Sequence, residues 1–347
     1  MEKLRAVVYA TVLLLIVGWV LFIGKEIFVP AVLGAVVVYV IVGLAHALGR
    51  LPWLGGRLPL QLRYVVSVAA IGLAGVQLAY LVMANKERAL TLAPTYQESL
   101  LAAIQRGAVW FRIETEPTWE TLRQELLLQI NLQQLLGSLL ASLSSLLVTF
   151  VVVFLYATFL MIERRGFDAK LANLSDDPKR VARIREVIRV INQRIGSYLA
   201  LKTVLSIFLG VVSWIIMTAF GLEFAALWAV LIACLNFVPY LGSVLGVVLP
   251  MLMTIVQFAD PAVIFWMLVW LTATQFLIGN FLDPYVMGSS LNLSPFAILI
   301  SLAVWSELWG IPGAFLAVPI SAIMTIVFSE FPGTRPVAVL LSKNGRL

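Results

Sequence analysis

Charge, cysteine and histidine are all scarce in this sequence, and each scarcity removes a class of explanation. Only 12% of the 347 residues are charged while 61% are hydrophobic, and a soluble domain carries roughly twice that charged share. A water-facing surface cannot be built from this composition. One cysteine, Cys234, rules out a disulfide within the chain, and one histidine, His46, leaves no His/Cys cluster for a metal. Cys234 reads as a small buried apolar residue and His46 as a packed residue at the end of a span. The sequence has no Gly-x-x-x-x-Gly-Lys-Ser/Thr loop, no Gly-x-Ser-x-Gly and no His-Glu-x-x-His. A nucleotide-driven pump built into this chain and an intramembrane serine or zinc protease are thereby disfavoured, and no cofactor is required.

What the sequence has in abundance is long apolar runs. In hydrocarbon, every backbone N–H and C=O must be satisfied inside its own segment or by a closed ladder of strands. Continuous runs rather than short alternating ones favour helices. Full spans are expected at roughly Arg5 to Ile23, Phe28 to Leu48, Leu62 to Ala84, Ser145 to Ile162 and Gly196 to Phe220. Lys3 and Arg5 before the first run imitate a secretory leader. The run is too long for a leader's apolar core and no Ala-x-Ala site precedes Lys25, so it reads as a retained helix.

The net charge of +6 comes from basic residues flanking apolar runs, which is a topology signal and not a nucleic-acid footprint. Arg50, Arg57 and Arg63 flank one connection, and the stretch from Glu163 to Lys202 holds ten basic against five acidic residues. Both belong in the cytoplasm. The stretch from Asn85 to Ser144, with five basic against six acidic residues, belongs outside. Leu100, Leu101, Ile104 and Trp110, then Leu122, Leu126, Leu127 and Ile130, recur there at helical spacing, and Pro117 suits the first turn of the second helix. The inner stretch carries Asp177 as a cap, Pro178 at a helix start, and a stripe of Val181, Ile184, Ile188, Ile191 and Ile195 among arginines. That pattern suits the anionic cytoplasmic leaflet or a subunit contact.

In the last third the runs shorten. Phe224 to Leu235 and Val244 to Gln257 flank Asn236-Phe-Val-Pro-Tyr-Leu-Gly-Ser243; Phe296 to Trp305 and Ala314 to Phe328 flank Ser306-Glu-Leu-Trp-Gly-Ile-Pro-Gly313. A full span over 261–282 separates them. Each pair reads as a re-entrant hairpin, 224–258 and 296–328, with the arms closed by Ala225, Ala229, Ala233, Gly242 and Gly246 at four-residue spacing. Phe224-Ala225 and Leu227 echo Phe296-Ala297 and Leu299, Pro239 echoes Pro312, and Pro250 echoes Pro319. Crossing order would make the hairpins an inverted repeat, with tips facing each other near the midplane.

The expected fold is an all-α polytopic membrane protein. About six full spans and two broken hairpins are accompanied by an extracytoplasmic helical insertion. Its segments are three spans in 1–84, the insertion 85–144, a span in 145–162, a basic amphipathic region 163–195, a transport core 196–330 and a cytoplasmic tail 331–347.

Non-helical backbone at membrane depth needs polar partners, and broken-helix ends are where carriers hold solutes and ions. The candidate solute-binding residues are therefore Asn236, Pro239, Tyr240, Gly242, Ser243, Gln275, Asn280, Ser306, Glu307, Gly310, Pro312 and Gly313. Asp283 and Glu307 are the candidates for cation or proton coupling.

Three motifs give this region a family resemblance. Pro239-Tyr-Leu-Gly242 with Pro250, then Gly279-Asn-Phe-Leu-Asp-Pro-Tyr-Val-Met-Gly288 followed by Leu293-Ser-Pro295, then Gly310-Ile-Pro-Gly-Ala-Phe-Leu-Ala-Val-Pro319 stand in order. Together they resemble the signatures of the AI-2E family of autoinducer exporters, also known as the PerM family. The resemblance implies a bacterial inner-membrane permease that forms homo-oligomers, whose relatives have been linked to autoinducer-2 export or to sodium/proton exchange. It specifies no substrate. The rival to a carrier is an oligomeric channel or lipid-handling scaffold. A channel needs a ring of groups from several protomers, whereas a carrier needs one site per protomer.

Overall fold

The computed structural model describes residues 2–50, 58–110, 132–287 and 291–345. Among these the chain is helical, and its one strand-like feature is a bridge between Leu293 and Ser342. The helices are α1 (Glu2–Ile23), α2 (Lys25–Arg50), α3 (Leu60–Trp110), α4 (Leu132–Ala172), α5 (Pro178–Ala219), α6 (Ala225–Leu235), α7 (Leu241–Phe258) and α8 (Pro261–Leu277). A π-helical turn (Ile278–Leu282) leads into α9 (Asp283–Met287), and α10 (Pro295–Ser329) and α11 (Arg335–Leu341) follow.

Local sequence explains where several helices begin. Proline opens α5, α8 and α10, where its missing N–H costs nothing. The preceding residue supplies the cap: Lys179 N donates to Asp177 Oδ1 at 2.9 Å, Ala262 N to Asp260 Oδ1 at 2.8 Å, and Ala297 N to Ser294 Oγ at 3.1 Å.

Seven of the described helices are long and apolar enough to cross a membrane; α6, with 11 residues, is not. Large apolar side chains stand on the outside, among them Leu14, Leu73, Val148, Phe159 and Trp270. Water would not tolerate that surface; lipid does. The chain is an all-α polytopic membrane protein.

Two helices run past the spans expected from sequence. α3 is one helix of 51 residues and α4 one of 41, about 75 Å and 60 Å long at 1.5 Å per residue. Leu100, Leu101, Ile104 and Trp110 thus lie on the continuation of α3. Pro117, Leu122, Leu126, Leu127 and Ile130 lie outside the described residues, as do Arg57, Gly288 and Arg346.

The residues form two compact units. One comprises Met1–Ile71, Thr149–Thr203 and Met287–Leu347; the other comprises Gly72–Val148 and Val204–Val286. In the first, glycines bring α2 against its neighbours. A Cβ at Gly34 would lie 2.8 Å from Tyr156 Cβ in α4, and one at Gly43 would lie 2.7 Å from Ala200 Cβ in α5. The amphipathic half of α5 is covered here by the chain itself. Ile191 and Ile195 pack with Val36, Tyr198 and Leu316, Tyr39 donates to Asn192 Oδ1 at 2.7 Å, and Arg183 pairs with Glu330 at 3.2 Å. Because α5 continues unbroken to Ala219, this half cannot lie flat on a leaflet while the other half crosses. Arg180, Arg185 and Arg194 remain exposed. His46 is exposed, with Nδ1 2.7 Å from the Val42 carbonyl.

The second unit gathers α6, α7, α8 and the adjoining parts of α3 and α5 around Leu209, Met217, Ile232, Met251, Met267 and Leu271. Each unit contains one of the two broken-helix hairpins.

Candidate functional site

Hairpin 1 consists of α6 and α7, turning at Tyr240. The first arm is too short to cross about 30 Å of hydrocarbon. The second arm, with 18 residues, would be long enough alone; pairing with α6 makes it a hairpin arm. Tyr240 has φ 62 and ψ −56, a region that L residues occupy only under strain. The turn satisfies much of its own backbone: Val238 N donates to Leu235 O at 2.8 Å and Gly242 N to Val238 O at 2.9 Å. Gly242 is required by proximity, since a Cβ there would collide with the Leu235 carbonyl.

Of the small residues expected to close the two arms, Gly242 and Gly246 do approach the first arm, at the Leu235 carbonyl and at Ile232 Cγ1, whereas Ala229 and Ala233 face α5 instead. Gly210 in α5 meets the alanine face of α6, where its Cβ would be 3.1 Å from both Ala229 O and Ala233 Cβ. Gly246 in α7 makes room for Gln275 of α8, whose Nε2 would lie 2.5 Å from an added Cβ. Cys234 is exposed, contrary to the reading of it as buried. A hydrophobic residue in this chain can equally face lipid.

Two of the candidate polar residues here are buried. Asn236 Nδ2 donates to Ser206 Oγ at 3.0 Å. Gln275 is 8% exposed, and its Nε2 has no acceptor. Ser243, exposed, turns its hydroxyl back onto the Tyr240 carbonyl at 2.9 Å, and Pro239 is half-buried. The full span expected over 261–282 is present as one continuous helical stretch, Pro261–Val286, and its turn at Ile278–Leu282 is π-helical. Asn280 Nδ2 donates to Phe276 O at 3.2 Å, the carbonyl that an α-helix would give to the Asn280 backbone, and Asp283 N donates to Ile278 O. Such turns recur at functional positions. Asp283 is half-buried at the start of α9.

Hairpin 2 lies within α10. Gly310 has φ 65 and ψ −141, which interrupts the helix and suits glycine alone. The reversal is proved by what it brings together. Ser321 Oγ donates to Ser301 Oγ at 2.7 Å, whereas twenty residues of straight helix would hold them about 30 Å apart. At Gly313 a Cβ would collide with the Trp305 carbonyl, the counterpart of Gly242 against Leu235. Pro250 and Pro319 are both buried in second arms, at matching removes from their reversals to within a residue. Trp309 Nε1 donates to the Leu21 carbonyl at 2.9 Å and so satisfies one of the terminal carbonyls of α1. Glu307 is exposed; Ser306 and Pro312 are half-buried.

The structure thus brings Asn236 to Ser206, Gly246 to Gln275, and Gly313 to Trp305. It directs Asn280 and Ser243 to their own backbone. Ser206, Ser301, Ser321 and Trp309 were not among the residues read from sequence, because a lone serine or tryptophan in an apolar helix carries no spacing signal.

Comparison with known proteins agrees with this architecture. Residues 9–333 match the family described as AI-2E family transporter. The chain is 29% identical to the AI-2 transport protein TqsA of Escherichia coli K12 over 357 residues, 99% of this chain and 96% of that one. It is 34% identical over 192 residues to a Borreliella burgdorferi protein whose name gives transport and no solute, and 32% identical over 184 residues to YhhT of Escherichia coli K12. Those matches cover 55% and 53% of this chain, and about half of each relative, 53% and 51%. The chain belongs to the AI-2E transporter family and is a multi-pass membrane transport protein.

Proposed function

We propose that this protein is a secondary carrier of a small oxygen-bearing solute across the bacterial cytoplasmic membrane, and that the hairpin tips hold the solute. The reading rests on the two chain reversals, at Tyr240 and Gly310, within otherwise apolar helices. Broken helices at membrane depth are how carriers expose backbone dipoles to a solute. The buried Gln275 Nε2 lacks an acceptor, and a hydroxyl or carbonyl oxygen of a solute would supply one. The name of TqsA makes autoinducer-2 the first solute to test. Basic residues beside the spans support cytoplasmic N- and C-termini, and assembly into homo-oligomers is part of the proposal.

A second reading, cation/proton exchange, is favoured by the exposed carboxylate of Glu307 close to the Gly310 reversal. Flux into proteoliposomes separates the readings. Autoinducer-2 and sodium are each supplied with and without an imposed pH or sodium gradient. Accumulation of autoinducer-2 against its own gradient supports the carrier. Gradient-driven sodium movement without it supports exchange. Passive equilibration that no gradient alters contradicts both and indicates a pore.

A further inference from the structure

The base of hairpin 1 carries a polar cluster that the transport reading leaves unused. Glu223 lies in the turn between α5 and α6. Its carboxylate accepts a hydrogen bond from the Tyr96 hydroxyl and pairs with Arg88 Nη2 at 3.1 Å, both on α3. Its backbone N–H donates to Gln257 Oε1 at 2.8 Å, and Gln257 Nε2 donates to the Gly221 carbonyl at 2.9 Å. Gln257 sits in the last turn of α7. One glutamate therefore joins α3, the start of the first arm and the end of the second.

This is more than a surface ion pair, which contributes little. Tyr96 is buried at 7% and belongs to the core cluster of its unit, and the Glu223 side chain is 27% exposed. The turn itself is bent out of ordinary conformation: Gly221 has φ 72 and Phe224 has φ 57. A non-glycine residue persists there only when its surroundings hold it. The bonds of Gln257 to Glu223 and Gly221, with the α3 contacts, supply that hold.

We infer that Glu223 is a positioning residue: it fixes the angle at which hairpin 1 leaves α5 by tying the hairpin's base to α3 through Tyr96 and Arg88. The role in transport rests on the carrier reading above, while the mechanical tie does not.

Hydrogen exchange of the full chain in nanodiscs tests the tie directly, comparing wild type with Glu223→Gln, Tyr96→Phe, their double variant and Arg88→Lys. Each of the first two is expected to speed exchange across residues 225–258 about tenfold, the factor that loss of a hydrogen bond to a charged group implies. The double variant should add little beyond the larger single effect, and Arg88→Lys should stay near wild type. Unchanged exchange in both single variants, or effects that simply add, overturns the tie. Autoinducer-2 flux reads the second half of the inference. Glu223→Gln should lower the maximal rate at an unchanged half-saturating concentration, and the reverse pattern overturns the positioning role. If wild type moves no autoinducer-2, that choice of solute fails, and hydrogen exchange still decides whether Glu223 holds the hairpin.

Discussion

Ser321 donates to Ser301 across 2.7 Å, although twenty positions of a continuous helical sequence separate them. The bond shows that this 35-residue helical stretch, broken at Gly310, is two antiparallel arms. Removing either hydroxyl leaves its partner unsatisfied in a buried position. Double-mutant cycles with Ser301→Ala and Ser321→Ala, read by unfolding in mixed micelles, should give a coupling of about 0.6 kcal/mol, the average for such bonds between membrane helices. Purely additive effects would mean the arms do not meet there.

Gly313 and Gly279 offer a matched contrast. A methyl at Gly313 meets the Trp305 carbonyl, whereas one at Gly279 meets nothing within 4 Å. Gly313→Ala should destabilise by about 1–3 kcal/mol as the arms separate. Gly279→Ala should stay within about 0.5 kcal/mol of wild type. Thermal unfolding of the two variants in the same detergent makes the comparison.

Tyr240 carries the strain of hairpin 1 at φ 62 and ψ −56. Glycine would relieve roughly 1–3 kcal/mol of backbone strain and give back about 0.5–1 kcal/mol in unfolded-state entropy. Tyr240→Gly is therefore expected to be more stable than wild type by about 1 kcal/mol, measured by denaturant unfolding. It should also transport more slowly, because a tip free to adopt several conformations is less often in the one that holds the solute.

Tyr96 supplies a prediction in pH. Burial first, and then the hydrogen bond to Glu223 and the charge of its carboxylate, push the hydroxyl well above its ordinary value. A raised pKa means that the bond contributes fully below pH of about 10 and is lost as pH rises past the folded value. Alkaline titration of tyrosine absorbance, wild type minus Tyr96→Phe, should show one group ionising late. A difference curve centred near pH 10 would contradict the assigned bond.

Much of this architecture was legible because membrane helices obey few rules. Lipid forces helices, so spans follow from run length; proline and glycine in an apolar run mark breaks, so the turns near Pro239 and Pro312 are written in the sequence. The cap at Asp177 and the helix start at Pro178 were legible for the same local reason. Other features were hidden by what sequence does not encode. Polar composition between spans does not stop a helix, so the continuity of α3 and α4 was invisible. An apolar stripe such as Val181 to Ile195 states that it will be covered and not by what; here α2 and α10 cover part of it rather than lipid. Polar pairs such as Ser301–Ser321 and Asn236–Ser206 depend on tertiary register, which no single-chain periodicity reports. The π turn at Asn280 depends on a side chain replacing a backbone donor, a choice made only once the helix is packed.

Whether the hairpin tips, with the Gln275 amide packed against hairpin 1, handle the solute is tested most directly by flux. Proteoliposomes containing wild type, Asn236→Ala, Gln275→Leu, Glu307→Ala or the control Gly279→Ala would be loaded with autoinducer-2 under an imposed proton gradient. Asn236→Ala and Gln275→Leu are expected to lose at least tenfold in rate while remaining folded, as loss of a buried hydrogen-bonding group implies. Glu307→Ala should uncouple flux from the gradient, and Gly279→Ala should match wild type. Full gradient-driven flux in Asn236→Ala, Gln275→Leu and Glu307→Ala alike would contradict the account.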